Sequence, residues 1–273
     1  MAPEGLAAAY AECERIVRDG DADRAVSVGF TAPDKQKHLF ALYAFHIETL
    51  RVRDLVSQPL PGEIRLQWWR DRLTSADDIE EAAQGSPVAL ALISTVRAFD
   101  LPVDAFDRYL EARLFDLYND PMPSRTEFEA YAGETFSTLM MLAAMVLDRD
   151  SAPSVATAAG HAGVAETAVW ALRHEAQHRH RNQIYVPGDM LSALGTTPAE
   201  WLAGEDKARP VREATRALAR EHTTNVSTRW AEIPRSLRPV FLPALLAAST
   251  LGDETKPVGP FKRLWTYWRL MRR

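Results

Sequence analysis

Apolar residues recur at three- and four-residue intervals along most of this chain, and sustained strand-like alternation is missing. Between Pro33 and Pro59 they fall at Leu39, Tyr43, Ile47 and Leu50, with Phe40 and Leu55 flanking. That spacing lays one stripe along one face of a helix. Asp34 stands where an N-cap is expected, and SQPLPG stops the helix. EIRLQWWRDRLTSA reads as a second amphipathic helix, and SPVALALISTVRAF opens on Ser86 with proline in the first turn. Further helices are predicted over 104–118, 126–147, 155–180, 207–230, 236–249 and 261–272. Hairpin signals are limited to a lone Asp19-Gly20. With no fixed-period repeat and no low-complexity linker, residues 1–273 read as one all-α domain, its helices arranged around a common centre.

Composition narrows the function classes. At 273 residues, 47% hydrophobic and 25% charged, the chain can bury a sizeable core without covalent staples. The single cysteine, Cys13, excludes an internal disulfide and a Cys-rich zinc module, and suits a reducing compartment. A net charge of -5 argues against nucleic-acid binding. The N-terminal MAPEGLAAAYAECERIV carries acids early and lacks the basic lead of a signal peptide. The runs TLMMLAAMVL and VFLPALLAAS are about half the length needed to span a bilayer. A cytoplasmic protein is expected, peripheral on the inner face of the membrane if it touches one. The end of the chain, 260–273, is the exception in composition: FKRLWTYWRLMRR is basic, acid-free and aromatic. Phe261, Leu264, Trp265, Trp268 and Leu270 or Met271 can share one helix face, with Lys262, Arg263, Arg269, Arg272 and Arg273 around it. That pattern suits an anionic membrane surface. A helix docked on the bundle with a frayed basic end is the bland alternative.

Within WALRHEAQHRHRNQIYVP, His174, Glu175 and His178 spell H-E-x-x-H. On a helix the two histidines would share a face and Glu175 could act as general base of a zinc hydrolase. The third ligand is lacking: Arg181 stands where a glycine would continue the pattern, and Glu200 lies in the turn-like TTPAEWLAG. A polar helix end outweighs the zinc reading, and a non-peptidase metal or anion site using His174, His178 and His180 stays open.

Three longer stretches carry a resemblance. AYAECERIVRDGDADRAVSVGFTAPDKQKHLFALYAF, PGEIRLQWWRDRL and QIYVPGDML together resemble the squalene/phytoene synthase family over almost the whole chain. The resemblance implies an isoprenoid synthase-type helical bundle around a deep apolar cavity, and a reaction joining two prenyl diphosphates head to head. It also implies two aspartate-rich motifs on facing helices, their acids four apart so that they share a face. Those acids bind Mg²⁺, a hard cation that wants oxygen ligands. Here the first motif's leading aspartates align with Leu50 and Arg51, leaving Asp54. The second motif's align with His174 and His178, and its preceding asparagine with Trp170. Imidazole is a poor magnesium ligand. Tyr43, Phe45 and Tyr185 match positions that face the pocket, and of Trp68 and Trp69 one can line it while the other is core; structural packing is the favoured reading of each.

FHIETLRVRDLVSQPLPGEIRLQWWRD, YAGETFSTLMMLAAMVLD and LRHEAQHRHRNQIYVP resemble a divergent branch of the family that includes a mitochondrial complex I assembly factor. This implies a fold reused for assembly or binding, with respiratory complex subunits as partners. No catalytic residue is assigned. Asp54, His174 and His178 are the remnant motif positions and the metal candidates. Arg51, Arg53, Arg173, Arg179 and Arg181 crowd the lost acids, and guanidinium forks take phosphate directly. The expected binding set is Tyr43, Arg51, Arg53, Arg173, Arg181 and Tyr185, for an isoprenoid diphosphate or an anionic lipid held without turnover and without a cofactor. Surface arginines in an arginine-rich chain are the bland alternative. A live prenyl transferase using Mg²⁺ on Asp54, Glu48 and Glu175 is the competing reading.

Overall fold

The computed structural model describes residues 3–204 and 206–273, and no strand occurs among them. The first half contains α1 (Pro3–Gly20), α2 (Ala22–Val28), α3 (Pro33–Leu50), the single turn α4 (Val52–Leu55), α5 (Pro59–Thr74), α6 (Ile79–Ala83), α7 (Pro87–Ala98) and α8 (Val103–Arg113). The second half contains α9 (Arg125–Ala132), α10 (Thr138–Leu147), α11 (Ala156–Arg173), α12 (Glu175–His180), α13 (Gly188–Ala193), α14 (Pro198–Ala203), α15 (Ala208–Thr228), α16 (Arg238–Ala248) and α17 (Pro260–Met271).

Two helices run through the centre. In α3 every residue from His38 to Ile47 is buried, which marks a helix packed on all sides rather than along one stripe. Helix α11 is its counterpart, buried from Ala162 to Val169 and packed against α15 and α16. A π turn at Gly133–Ser137 joins α9 to α10, and α11 presses directly against it. A Cβ on Gly163 would collide with Ser137, with its hydroxyl and its backbone N alike, so only glycine fits there. The turn places Phe136 in the interior between the two central helices.

Several boundaries differ from the reading of the sequence. Asp34 lies in the first turn of α3, not at its N-cap; Ala32 caps, because Pro33 takes the first helical position. The helix expected over 104–118 tightens into a 3₁₀ turn at Leu114–Leu117. The segment expected over 155–180 breaks at His174 (φ −102°, ψ 13°). There the Trp170 carbonyl accepts both the His174 backbone N–H at 3.0 Å and the His174 ring at 2.9 Å, a local side-chain bond that competes with helix continuation. TTPAEWLAG is not a turn but α14, held by a reciprocal capping box between Thr197 and Glu200. The apolar run ending at Leu147 also belongs to a longer rod. Arg125–Leu147 is long and apolar enough to cross a membrane, but 61% of its most apolar window is buried inside the bundle, as in a core helix.

The C-terminal helix α17 docks through one face. Arg263 Nε donates to Asp23 Oδ1 at 2.6 Å, Tyr267 Oη donates to the Asp23 carbonyl at 3.2 Å, and Trp230 Nε1 donates to the Leu270 carbonyl at 3.1 Å. Leu270 and Met271 therefore turn toward the core, and Arg263 is buried, unlike the single amphipathic face expected. Phe261, Leu264, Trp265 and Trp268 form the outward stripe.

Candidate functional site

A cavity of about 430 Å³ lies between α2, the α3–α4 junction, the π turn, α11, α12 and the segment after α16. Its apolar wall includes Ile47, Leu50, Phe136, Val169, Trp170 and Val258. The positions aligned with the two aspartate motifs, Leu50, Arg51 and Asp54 on one side and His174 and His178 on the other, all line it.

On the first side, Leu50 is apolar and Arg51 closes the C-terminus of α3. Asp54 reaches the cavity but is already engaged. Arg181, on the loop after α12, forms an ion pair with it, and Gln177 Nε2 donates to it at 3.4 Å. Glu48 does not line the cavity. It is half-buried near Glu12 and Cys13, and burial, reinforced by Glu12, raises its pKa. Glu175 also turns away. Arg212 grips it with Nε at 2.8 Å and Nη2 at 2.7 Å, and Arg179 stands 3.6 Å from it. Asp54, Glu48 and Glu175 are therefore not brought together, as the altered-metal reading requires.

On the second side, His174 and His178 lie in an aromatic wall. The His178 ring packs 4.7 Å from Trp170 and 4.5 Å from Tyr185, centroid to centroid. Burial pushes its pKa down to about 3, and lowers that of His174 as well. Because a carbonyl only accepts, His174 Nδ1 carries the proton that it donates to Trp170. These are neutral imidazoles, and Asp54 is neutralised by a guanidinium; this donor set does not fit Mg²⁺. It does not fit a zinc hydrolase either. The Glu175 carboxylate is held by Arg212, and Glu200, its pKa lowered to about 2, bonds Lys207 and caps α14. His180 is exposed and off the cavity wall. Among the described residues no group of three histidine, cysteine, aspartate or glutamate side chains is arranged to hold a metal.

The arginines behave differently from one another. Arg51, Arg53, Arg173 and Arg181 all line the cavity, with Tyr185. Arg53 Nη1 is spent on the Val56 carbonyl at 3.1 Å. Arg173 Nε donates to the Glu254 carbonyl at 3.1 Å. Neither Arg51 nor Arg173 forms an ion pair with a carboxylate among the described residues, and they come one from each facing helix. Arg179 is drawn off to the Leu202 carbonyl. Tyr43, expected in the binding set, is buried beneath the Arg24 guanidinium, 5.6 Å from the ring, and not on the cavity wall. Phe45 packs on Trp69, and Trp68 donates to Gln84; none of the three lines the cavity.

Two polar clusters on the wall were not foreseen. Asp116 accepts from Tyr131 and Tyr185 at 2.7 and 2.8 Å and from Arg113 at 3.2 Å, which satisfies both of its oxygens. Arg113 and Tyr109 continue this network to His46, whose pKa burial holds well below its ordinary value. The second cluster is Arg24 with Asp21 and Glu166, at 2.6 and 2.7 Å. A signal for the latter existed: a lone acid inside the apolar stretch AGVAETAVWAL.

Comparison with known proteins adds to this geometry. The family model for squalene/phytoene synthase matches residues 17–257. The NADH dehydrogenase (ubiquinone) complex I assembly factor 6 of Rattus norvegicus is 26% identical over 241 residues, 87% of this chain and 71% of that protein. Phytoene synthase 2, chloroplastic, of Solanum lycopersicum is 23% identical over 259 residues, 91% of this chain and 82% of its own. Among solved structures, a dehydrosqualene synthase in complex with ligand matches with a TM-score of 0.80 at 16% identity, over 98% of this chain and 97% of the other. Squalene synthase HpnC from Alicyclobacillus acidocaldarius matches with a TM-score of 0.73 at 17% identity, over 94% and 98%. At these identities the structures establish the all-α isoprenoid synthase fold.

Proposed function

The chain belongs to the squalene/phytoene synthase family, and from that membership we propose that it is a binding member rather than a synthase. Its cavity takes a phosphate-bearing isoprenoid or an anionic lipid through guanidinium groups, without magnesium and without ionising the ligand. The observation that carries this reading is the pair Arg51 and Arg173. Each lines the cavity from one of the two motif helices, and neither forms a direct ion pair with a carboxylate among the described residues. A diphosphate there meets cations built into the protein, so no metal is needed to neutralise it. Ionisation of an allylic diphosphate needs charge neutralisation that grows as the bond breaks. Asp54, locked to Arg181, and two neutral imidazoles offer no purchase for the metals that would supply it.

The biological role we infer is assistance to a membrane respiratory complex, because relatives that are complex I assembly factors share the family and most of the chain's length. Peripheral membrane contact through α17 belongs to the same reading. The experiment is calorimetric titration of the protein with farnesyl diphosphate and with inorganic pyrophosphate in EDTA, alongside an assay for pyrophosphate release with Mg²⁺. Saturable binding in chelator that falls about tenfold or more in the Arg51→Ala/Arg173→Ala variant is the expected result. Magnesium-dependent pyrophosphate release, or no binding, overturns it.

A further inference from the structure

Glu166 is 8% exposed and lines the cavity, and its Oε2 has no hydrogen-bond partner among the described residues. Its other oxygen is 2.7 Å from Arg24 Nη2. The contrast with Asp116 on the same wall is plain, since both oxygens of that carboxylate are met. An acceptor buried without a partner costs about 1–3 kcal/mol, more when charged, so its persistence on a cavity wall points to a donor that arrives with a ligand.

Charge accounting says what kind of donor. One guanidinium, Arg24, serves two carboxylates, Asp21 and Glu166. The neighbouring Asp23 is already matched by Arg263 at 2.6 Å. Asp21 and Glu166 together therefore exceed Arg24 by one carboxylate. The same cavity also holds Arg51 and Arg173, which form no ion pair with a carboxylate among the described residues. Glu166 and Arg173 are seven positions apart on α11, which brings them to one face about 10 Å apart along the axis. An all-hydrocarbon tail would leave Oε2 unmet, while a head group carrying both an anion and a cationic donor would meet the guanidiniums and the carboxylate together.

We propose that the cavity selects a zwitterionic phosphate ester, with its phosphate at Arg51 and Arg173 and a protonated amine on Glu166 Oε2. The apolar wall of Phe136, Val169 and Trp170 offers space beside the head group for the start of a lipid chain. This inference rests on the metal-free phosphate binding proposed above, and names the ligand's second group.

The test is a set of four titrations in EDTA: O-phosphoethanolamine against glycerol phosphate, and dihexanoyl phosphatidylethanolamine against dihexanoyl phosphatidylglycerol. The soluble pair reports the head group alone and the short-chain pair reports the lipid. The amine-bearing member of either pair is expected to bind about tenfold more tightly. In Glu166→Gln that preference should shrink to within about twofold, while the glycerol compounds keep their affinity. A thermal melt of Glu166→Gln shows whether its fold survives. The wild-type comparison needs no variant, and equal affinity for amine and glycerol forms overturns the inference while leaving phosphate binding intact. Failure of all four probes sinks the phosphate-binding reading, and this inference with it.

Discussion

Arg181 reaches Asp54 from the other side of the cavity, and their ion pair ties the loop after α12 to α4. In the family the two sides are expected to be bridged by metal ions between facing carboxylates; here one guanidinium spans them. Asp54 consequently competes with any incoming phosphate for Arg181. Replacing Asp54 with asparagine should free that guanidinium and raise pyrophosphate affinity about three- to tenfold, with Arg181→Ala acting in the opposite sense. The pair is partly exposed, so either change should move stability by less than about 1 kcal/mol. Titration calorimetry in EDTA reads the affinity. Weaker binding in Asp54→Asn would mean that the carboxylate itself holds the ligand.

Restoring the second motif's acids should have unequal consequences. Position 174 is half-buried and is at once the C-cap of α11 and the N-cap of α12, so an aspartate there loses the ring's bond to the Trp170 carbonyl but can cap α12 in exchange. His174→Asp is expected to cost less than about 1 kcal/mol. His178 is 6% exposed and enclosed by Trp170 and Tyr185. A carboxylate there would be buried between aromatic rings, with the nearby Arg181 already paired to Asp54, and His178→Asp should cost about 3 kcal/mol. Denaturant unfolding of the two variants compares them directly. Equal costs would mean that the aromatic wall relaxes around the new charge.

The same burial makes a prediction about pH. His178 holds a pKa of about 3 against an ordinary 6.5. Between those values the unfolded chain binds a proton that the folded chain refuses. Stability is therefore fully present above about pH 6.5 and declines as the pH falls, by about 2 kcal/mol from this residue on reaching pH 5. His46, also held low by burial, acts with the same sign. Unfolding free energies at about pH 7 and pH 5 should differ less in His178→Gln than in the wild type by roughly that amount. An unchanged difference would show that His178 titrates near its ordinary value when folded.

How much of this could be read from the chain depends on what each residue answers to. Helical periodicity is a local property, so the all-α architecture and most helix positions were legible. The break at His174 was not, because it depends on where one imidazole points. Nor could spacing tell that Tyr43 would be covered by Arg24, since the two are brought together only by the packing of α2 on α3. Glu48 and Glu175 looked near the motif in sequence, yet helix geometry turns one toward Cys13 and the other toward Arg212. Asp116 escaped notice because its partners, Tyr131 and Tyr185, are distant along the chain.

The outward face of α17 carries the last prediction. Phe261, Leu264, Trp265 and Trp268 fall at helical spacing and are 81%, 53%, 52% and 39% exposed. Trp265 and Trp268 stack 5.1 Å apart, and Arg272 lies 4.0 Å over the Trp268 ring. Lys262, Arg269 and Arg273 are exposed around this stripe, while Arg263 and Tyr267 fix the opposite face to Asp23. Apolar rings ringed by cations suit the interface of an anionic bilayer, where the rings enter the headgroup region and the cations meet lipid phosphate. The variant Phe261→Ser/Trp265→Ser/Trp268→Ser removes the stripe's three aromatic rings and leaves the docking contacts in place. It should lose co-sedimentation with phosphatidylglycerol vesicles while its melting temperature stays close to that of the wild type, because exposed side chains contribute within about 0.5 kcal/mol each. Binding of the wild type should also weaken as salt screens the cationic rim. Vesicle binding that survives the triple substitution would assign the stripe to some surface other than a membrane.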